Sequence, residues 1–150
     1  MITKLDLGDT KHGFGNPVEE GWVAIDLIIM PLDKGKICAD WNCMPFPDEM
    51  FKYAWGGCTL EDWVTPNDYK ELYRVMVKGG LVELSSCSLD QEFLDAELVR
   101  IEEAGFRVIN PGTIVDACHY FETPDDDDEE DDEDVLMCLL DDTVLILKEV

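Results

Sequence analysis

Apolar residues recur along the chain in short runs with strand-like alternation, punctuated by glycine, proline and acidic residues, and twice the period lengthens to that of a helix. Thr3 to Leu7 reads as a short strand, followed by a Gly-rich loop with Pro17. Trp22 to Ile28 (WVAIDLI) is a second strand, and Lys36 to Asp40 (KICAD) a third, closed by an acid. Trp41 to Phe51 (WNCMPFPDEMF) holds two prolines and is expected to be loop. Tyr53 to Leu60 contains a fourth strand, broken late by Gly56 and Gly57. Thr65 then caps a helix with Pro66 at its first position and Asp68 in its first turn. Its apolar face is Tyr69, Leu72, Tyr73 and Met76, and Lys78-Gly79-Gly80 is the expected stop.

Leu81 to Ser85 is a fifth strand. Leu89 to Ala104 is a second helix, started at Ser88 or Asp90 and stopped by Gly105, and Phe106 to Ile109 is a sixth strand. Ile114 to Phe121 is apolar. Val135 to Leu140 and Thr143 to Val150 look like two last strands joined by a turn at Asp141-Asp142. Strands alternating with helices or long crossovers imply an α/β fold with a mainly parallel sheet and an antiparallel C-terminal edge. At 150 residues the chain is read as one domain, 1–150.

Charge changes the picture. The formal net charge is −24, and ten acidic residues lie in one run, 125–134 (DDDDEEDDED). That run cannot bury anything and is expected to be a disordered, solvated loop. Outside it, 25 acidic residues still face 11 basic ones, of which only three are arginines. Such a surface repels phosphates, so nucleic acid is an unlikely partner, and it attracts cations. Solubility or a salty cytoplasm explains the same composition. No run reaches the length of a membrane span. Lys4, Asp6, Asp9 and Lys11 interrupt any signal-peptide core, so a cytoplasmic location is expected. The six cysteines form no C-x-x-C pair and read as buried thiols, with no metal site.

Three strands end in the same chemistry: Asp6-Leu7-Gly8, Asp26 and Asp40. In open parallel sheets ligands bind beyond the carboxyl ends of the strands. A carboxylate at the second tip can accept from a ribose diol, one at the third from a purine amine, and Gly8 admits close backbone approach. A single such acid is more often a cap or a solvated turn; three in register with a glycine turn are harder to dismiss.

At these residues the chain resembles the class I S-adenosylmethionine-dependent methyltransferases, in particular small members with a compressed first half. The matching pieces are LDLG, GWVAID, ADWNCMPFPDEMF, CTLEDW and ELYRVMVKGGLVEL, in that order, with a weaker return at AGFRV. The resemblance implies a Rossmann-like three-layer sandwich and S-adenosylmethionine as cofactor. It implies that Asp6, Gly8, Asp26, Asp40 and Cys58 belong to the cofactor site, with Gly8 facing the methionine portion, Asp26 the ribose and Asp40 the adenine amine. Trp41 and Met44 would pack near the base, and Cys58 to Asp62 would line the methyl-transfer site. Glu71 and Arg74 would be structural markers. The departures are Thr10 where the family carries a second glycine, Leu60-Glu61-Asp62 for L-E-H, Lys78-Gly79-Gly80 for P-G-G, and no helix before the first strand.

Methyl transfer needs alignment of donor and nucleophile, and a base only where the nucleophile carries a proton. The candidate bases are Asp62, Glu61 and His12. GDTKHGFG lacks the Gly-Lys-Ser/Thr of a phosphate loop and does not open a helix as a dinucleotide fingerprint would. Two readings stay open. One is a methyltransferase acting on a small molecule or a basic protein, with a second copy as a source of the absent lid. The other is a catalytically inactive methyltransferase-like domain serving as an acidic interaction module.

Overall fold

The computed structural model of the chain describes residues 1–8, 11–12, 17–27, 35–57, 59–60, 63–85, 90–110 and 144–148. Its strands are β1 (Lys4–Leu7), β2 (Trp22–Asp26), β3 (Lys36–Cys38), β4 (Phe51–Gly56), β5 (Met76–Leu84), β6 (Phe106–Asn110) and β7 (Val144–Lys148). Among the described residues they form one seven-stranded sheet in the order β3-β2-β1-β4-β5-β7-β6. The pairs from β3 to β5 are parallel, and β7 runs antiparallel to both β5 and β6. The antiparallel character expected at this end of the sheet is thus carried by β7, one strand in from the edge.

Alternation along the strands sorts side chains to two faces. Leu5, Leu7, Val23, Ile25, Ala54, Val82 and Leu84 share one face and are buried in a single cluster with helices α1 (Pro66–Val75) and α2 (Gln91–Glu103). Tyr69, Leu72 and Val75 come from α1, and Leu94 and Ile101 from α2. The caps behave as composition demands. The Asp68 carboxylate accepts from the Thr65 amide and hydroxyl, and Asp90, one of the two expected starts, caps α2 by accepting from the Glu92 and Phe93 amides. A buried Glu97 carboxylate ties the helices together, accepting from the Tyr69 hydroxyl on α1 and from Arg100 on α2.

The helix stop expected at Lys78-Gly79-Gly80 is corrected: α1 ends at Val75, and residues 76–84 are one strand. Met76 pairs with Phe51, and the register then jumps so that Tyr53 pairs with Leu81. Residues 77–80 bulge out of the ladder, which is what the two glycines allow. Gly79 has φ +76°, and a Cβ on Gly80 would lie 2.8 Å from the Val77 carbonyl. The reason lies far away in sequence. Buried Lys148, on β7, donates to the Tyr73 carbonyl at 3.0 Å and the Met76 carbonyl at 2.9 Å, satisfying groups at the end of α1. Lys148→Met, close in volume but without a donor, is expected to lower stability by about 2–3 kcal/mol. Urea unfolding checks this; a loss within about 0.5 kcal/mol of zero would deny Lys148 that role.

The fourth strand runs from Phe51, two residues before its expected start, to Gly56, where the first of the two expected glycine breaks falls. Thr59 turns back there, its hydroxyl donating to the Gly56 carbonyl at 2.8 Å, and a Cβ on Gly56 would lie 2.4 Å from the Thr59 hydroxyl oxygen. Only glycine fits. The segment Trp41 to Phe51, expected to be loop, contains one short 3-10 turn, Trp41–Cys43. The expected elements at 114–121 and 135–140, the acidic run 125–134, and Cys58, Cys87, Cys118 and Cys138 lie outside the described residues, while the expectation of buried thiols is corrected at Cys38 and Cys43, which are exposed. Among the described residues, no helix is long and apolar enough to cross a membrane.

Candidate functional site

Strand order reverses between β1 and β4, with β2 and β3 continuing on one side and β5 on the other. At such a point the chains leaving neighbouring strands diverge and open a crevice at their carboxyl ends. A cavity of about 260 Å³ lies there. Leu7 and Gly8 enter it from β1, Asp26 and Leu27 from β2, Asp40 and Trp41 from the segment after β3, and Thr59 and Trp63 from the segment after β4.

Each contribution has a local cause. Gly8 has φ +73°, a left-handed conformation, and its amide donates to the Ile25 carbonyl at 2.8 Å, so backbone instead of side chain faces the cavity. Asp26 is the last residue of β2, and its carbonyl accepts the Ala39 amide at 3.0 Å, holding the exits of β2 and β3 together. Asp40 caps the short 3-10 turn, accepting from the Asn42 amide at 3.0 Å while its side chain remains exposed. That turn delivers Trp41, only 6% exposed, whose ring stands edge-on to Trp63 at 6.2 Å and to Tyr69 at 6.1 Å. The Trp41 indole N–H is buried without a hydrogen-bond partner among the described residues.

The structure therefore brings together Gly8, Asp26, Asp40 and Trp41 of the residues expected at the site. Met44 does not line the cavity; it is 4% exposed and packs in the core. Asp6 is fully buried beneath the first strand exit, and His12 is bound to it at 2.7 Å. Neither is among the residues lining the cavity. Cys58, Glu61 and Asp62 lie outside the described residues, as does Thr10.

Leu27 lines the cavity without having been singled out as a site residue, Thr59 belongs to the segment Cys58 to Asp62 expected to line the methyl-transfer site, and Trp63, a tryptophan that reads as core or pocket wall, lines the cavity too. Trp63 carried a signal: it sits two positions before the helix cap, outside any periodic apolar face, and is 57% exposed. A large exposed aromatic beside a cleft is the kind of surface feature that marks binding.

Glu71 and Arg74 act as a brace below the cavity. The guanidinium is bidentate on Glu71, at 2.9 and 2.6 Å. It also donates to Asp48 at 2.7 Å, to the Phe46 carbonyl at 2.8 Å and to the Met44 carbonyl at 3.1 Å. Glu71 in turn accepts the Met44 amide at 3.0 Å. The segment leaving Trp41 is thereby fastened to α1. Hydrogen bonding to Arg74 holds the Glu71 carboxyl below its ordinary range, against the opposing effect of burial. Among the described residues, no group of three His, Cys, Asp or Glu side chains is placed to hold a metal ion.

No protein-family model matches the chain, and no curated protein does. Solved structures do. A chain of the complex between the Haloferax volcanii Trm112 methyltransferase activator and a candidate methyltransferase matches at a TM-score of 0.57 and 12% identity, over 99% of this chain and 83% of that one. A SAM-dependent methyltransferase from Aquifex aeolicus matches at 0.53 and 18% identity, over 73% and 74%. The [4+2]-cyclase SpnF matches at 0.53 and 15% identity, over 73% and 52%. The chain spans between 52% and 64% of the length of three of the matched structures. The fold is accordingly the Rossmann-like one of SAM-dependent methyltransferases, and the cyclase shows that this fold hosts other chemistry as well.

Proposed function

We propose that the chain binds S-adenosylmethionine in the cavity at the ends of β1 to β4 and is a methyltransferase acting on a small molecule or a basic protein. The observation that carries this reading is the convergence of Gly8, Asp26, Asp40 and Trp41 on one cleft at the point where strand order reverses.

The residues present suit an adenosyl ligand. Asp26 offers a carboxylate to a ribose diol, and Asp40 offers one to the exocyclic amine of a purine. Trp41 supplies an aromatic wall for the base, and Gly8 leaves room for the amino-acid portion beside the backbone. Two carboxylates in an apolar cleft also favour a cationic ligand over a neutral one of similar shape. When bound, the sulfonium supplies an electrophilic methyl group. The chain's own part is alignment and exclusion of water. Leu7, Leu27 and Trp63 provide the apolar walls. Glu61 and Asp62 lie between the lining residues Thr59 and Trp63 in sequence, and those two acids are the proposed bases for an acceptor that must lose a proton. His12 is not proposed as a base, because it is bound to Asp6 away from the lining residues. The acidic surface is proposed to draw basic acceptors towards the cleft.

Thermal unfolding with S-adenosylmethionine and with S-adenosylhomocysteine tests the reading, on wild type and Asp26→Ala. Ligand at about 100 times its dissociation constant adds roughly 2.7 kcal/mol, a rise of about 5–10 °C for a chain of this size. Wild type is expected to rise and Asp26→Ala to rise far less. No rise in wild type at millimolar ligand would reject cofactor binding and leave the inactive acidic module as the better description.

A further inference from the structure

Beneath the exit of β1, on the sheet face opposite the helices, lies a group of side chains that the cofactor reading does not use. Asp6 is fully buried and His12 is 8% exposed. The Asp6 carboxylate accepts the Lys11 amide at 3.2 Å, the His12 amide at 3.2 Å and the His12 Nδ1–H at 2.7 Å. Trp22 closes over the imidazole edge, with ring centroids 5.4 Å apart. Lys11 and Lys4 lie over the Trp22 ring, with Nζ at 4.8 and 5.4 Å.

We propose that Asp6 and His12 form a clamp that sets the path of the chain leaving β1 and so positions Gly8, making His12 a positioning residue for cofactor binding. The inference rests on the proposed cofactor reading of the cleft. Its geometry is independent of any ligand. A carboxylate that accepts amides five and six residues ahead closes the intervening backbone into a ring, and Gly8 lies within that ring in its left-handed conformation. Successive strand residues point to opposite faces, so Asp6 is directed away from the face that carries Leu7. His12 therefore influences the cleft through the backbone of residues 6–8 and touches nothing bound there. The 2.7 Å contact places Nδ1 against the carboxylate, the position from which a ring N–H donates to it.

The test uses the full chain as wild type, His12→Phe and His12→Asn. Calorimetric titration with S-adenosylhomocysteine reads affinity, and amide hydrogen exchange by NMR reads the Lys11 and His12 N–H groups. Loss of one buried, charge-assisted hydrogen bond corresponds to a weakening of about tenfold or more in His12→Phe. His12→Asn, whose amide can still donate to Asp6, is expected to return to within about threefold of wild type. In His12→Phe the two amides lose protection, and in His12→Asn they keep it. His12→Ala serves the same purpose if the phenyl ring prevents folding.

Wild-type affinity in His12→Phe, or no recovery in His12→Asn, overturns the clamp as a positioning device while leaving the cofactor reading intact. If wild type itself does not bind S-adenosylhomocysteine, the cofactor reading fails and the role in cofactor binding falls with it. The exchange measurement then still decides the clamp itself: unchanged protection in His12→Phe overturns it, and loss that His12→Asn reverses sustains it.

Discussion

Arg74→Ala is expected to lower stability by about 3 kcal/mol, the largest loss predicted for any single side chain here. The substitution removes the partner of Glu71, which is half-buried, and every contact that Arg74 makes to residues 44–48. The remaining carboxylate keeps only the Met44 amide among those contacts. Because the Arg74 side chain is 31% exposed, water recovers part of the loss, and the expectation stays at the lower end for a broken ion pair. Urea unfolding at neutral pH measures it, and a loss below about 1 kcal/mol, the range of an exposed pair, would show that the brace is ornamental.

The same pair predicts a pH response whose sign is definite. Glu71 is ionised more readily in the folded chain than at its ordinary value of 4.5, chiefly through hydrogen bonding to Arg74. Its contribution is therefore fully present above the unfolded pKa and is lost as pH falls through the lower folded value. Stability of wild type should decline across that acid window, and Arg74→Ala should show a shallower decline there. Equal slopes in both proteins would place the acid sensitivity in other carboxylates.

Gly8→Val is expected to abolish detectable S-adenosylhomocysteine binding, a weakening of roughly a hundredfold or more, since a branched side chain would occupy the space the ligand backbone needs. Valine at φ +73° also strains the backbone by about 1–2 kcal/mol. Gly21→Val separates the two effects. Gly21 has φ +84°, so the backbone strain is alike, yet it precedes β2 at the other end of the strands and is not among the residues lining the cavity. Comparable destabilisation in both variants, with binding lost only in Gly8→Val, is the expected result. Binding retained in Gly8→Val would mean that a ligand does not approach this turn.

Much of the architecture was legible because its causes are local. The continuous apolar run of WVAID, the Thr65-Pro66-Asp68 start and the Asp90 cap each act within a few residues, and all appear where the pattern places them. The alignment of Gly8, Asp26 and Asp40 was legible for a related reason. Parallel strands put their carboxyl ends on one side of the sheet, so acids that close successive strands meet there. Lys78-Gly79-Gly80 misled because cation and glycine look alike as a helix stop and as a strand bulge. Local propensity does not distinguish them; pairing with Phe51 and the reach of Lys148 across the sheet do.

His12 and Met44 show the limit on the side of function. Each lies near strand-end residues in sequence; the resemblance placed Met44 near the base, and His12 was a candidate base from its place in the glycine loop. Where a side chain points depends on neighbours from elsewhere. Trp22 and Asp6 hold His12 on the far face, while Glu71 and Arg74 grip the backbone of Met44 from α1. Sequence periodicity and turn chemistry thus determined the strands, the helix starts and the strand-end acids, because those depend on each residue's own conformational preferences. Only the tertiary structure decided where α1 gives way to β5, which of the candidates face one cavity and which brace it, because contacts between distant segments outweigh local preference by several hydrogen bonds at once.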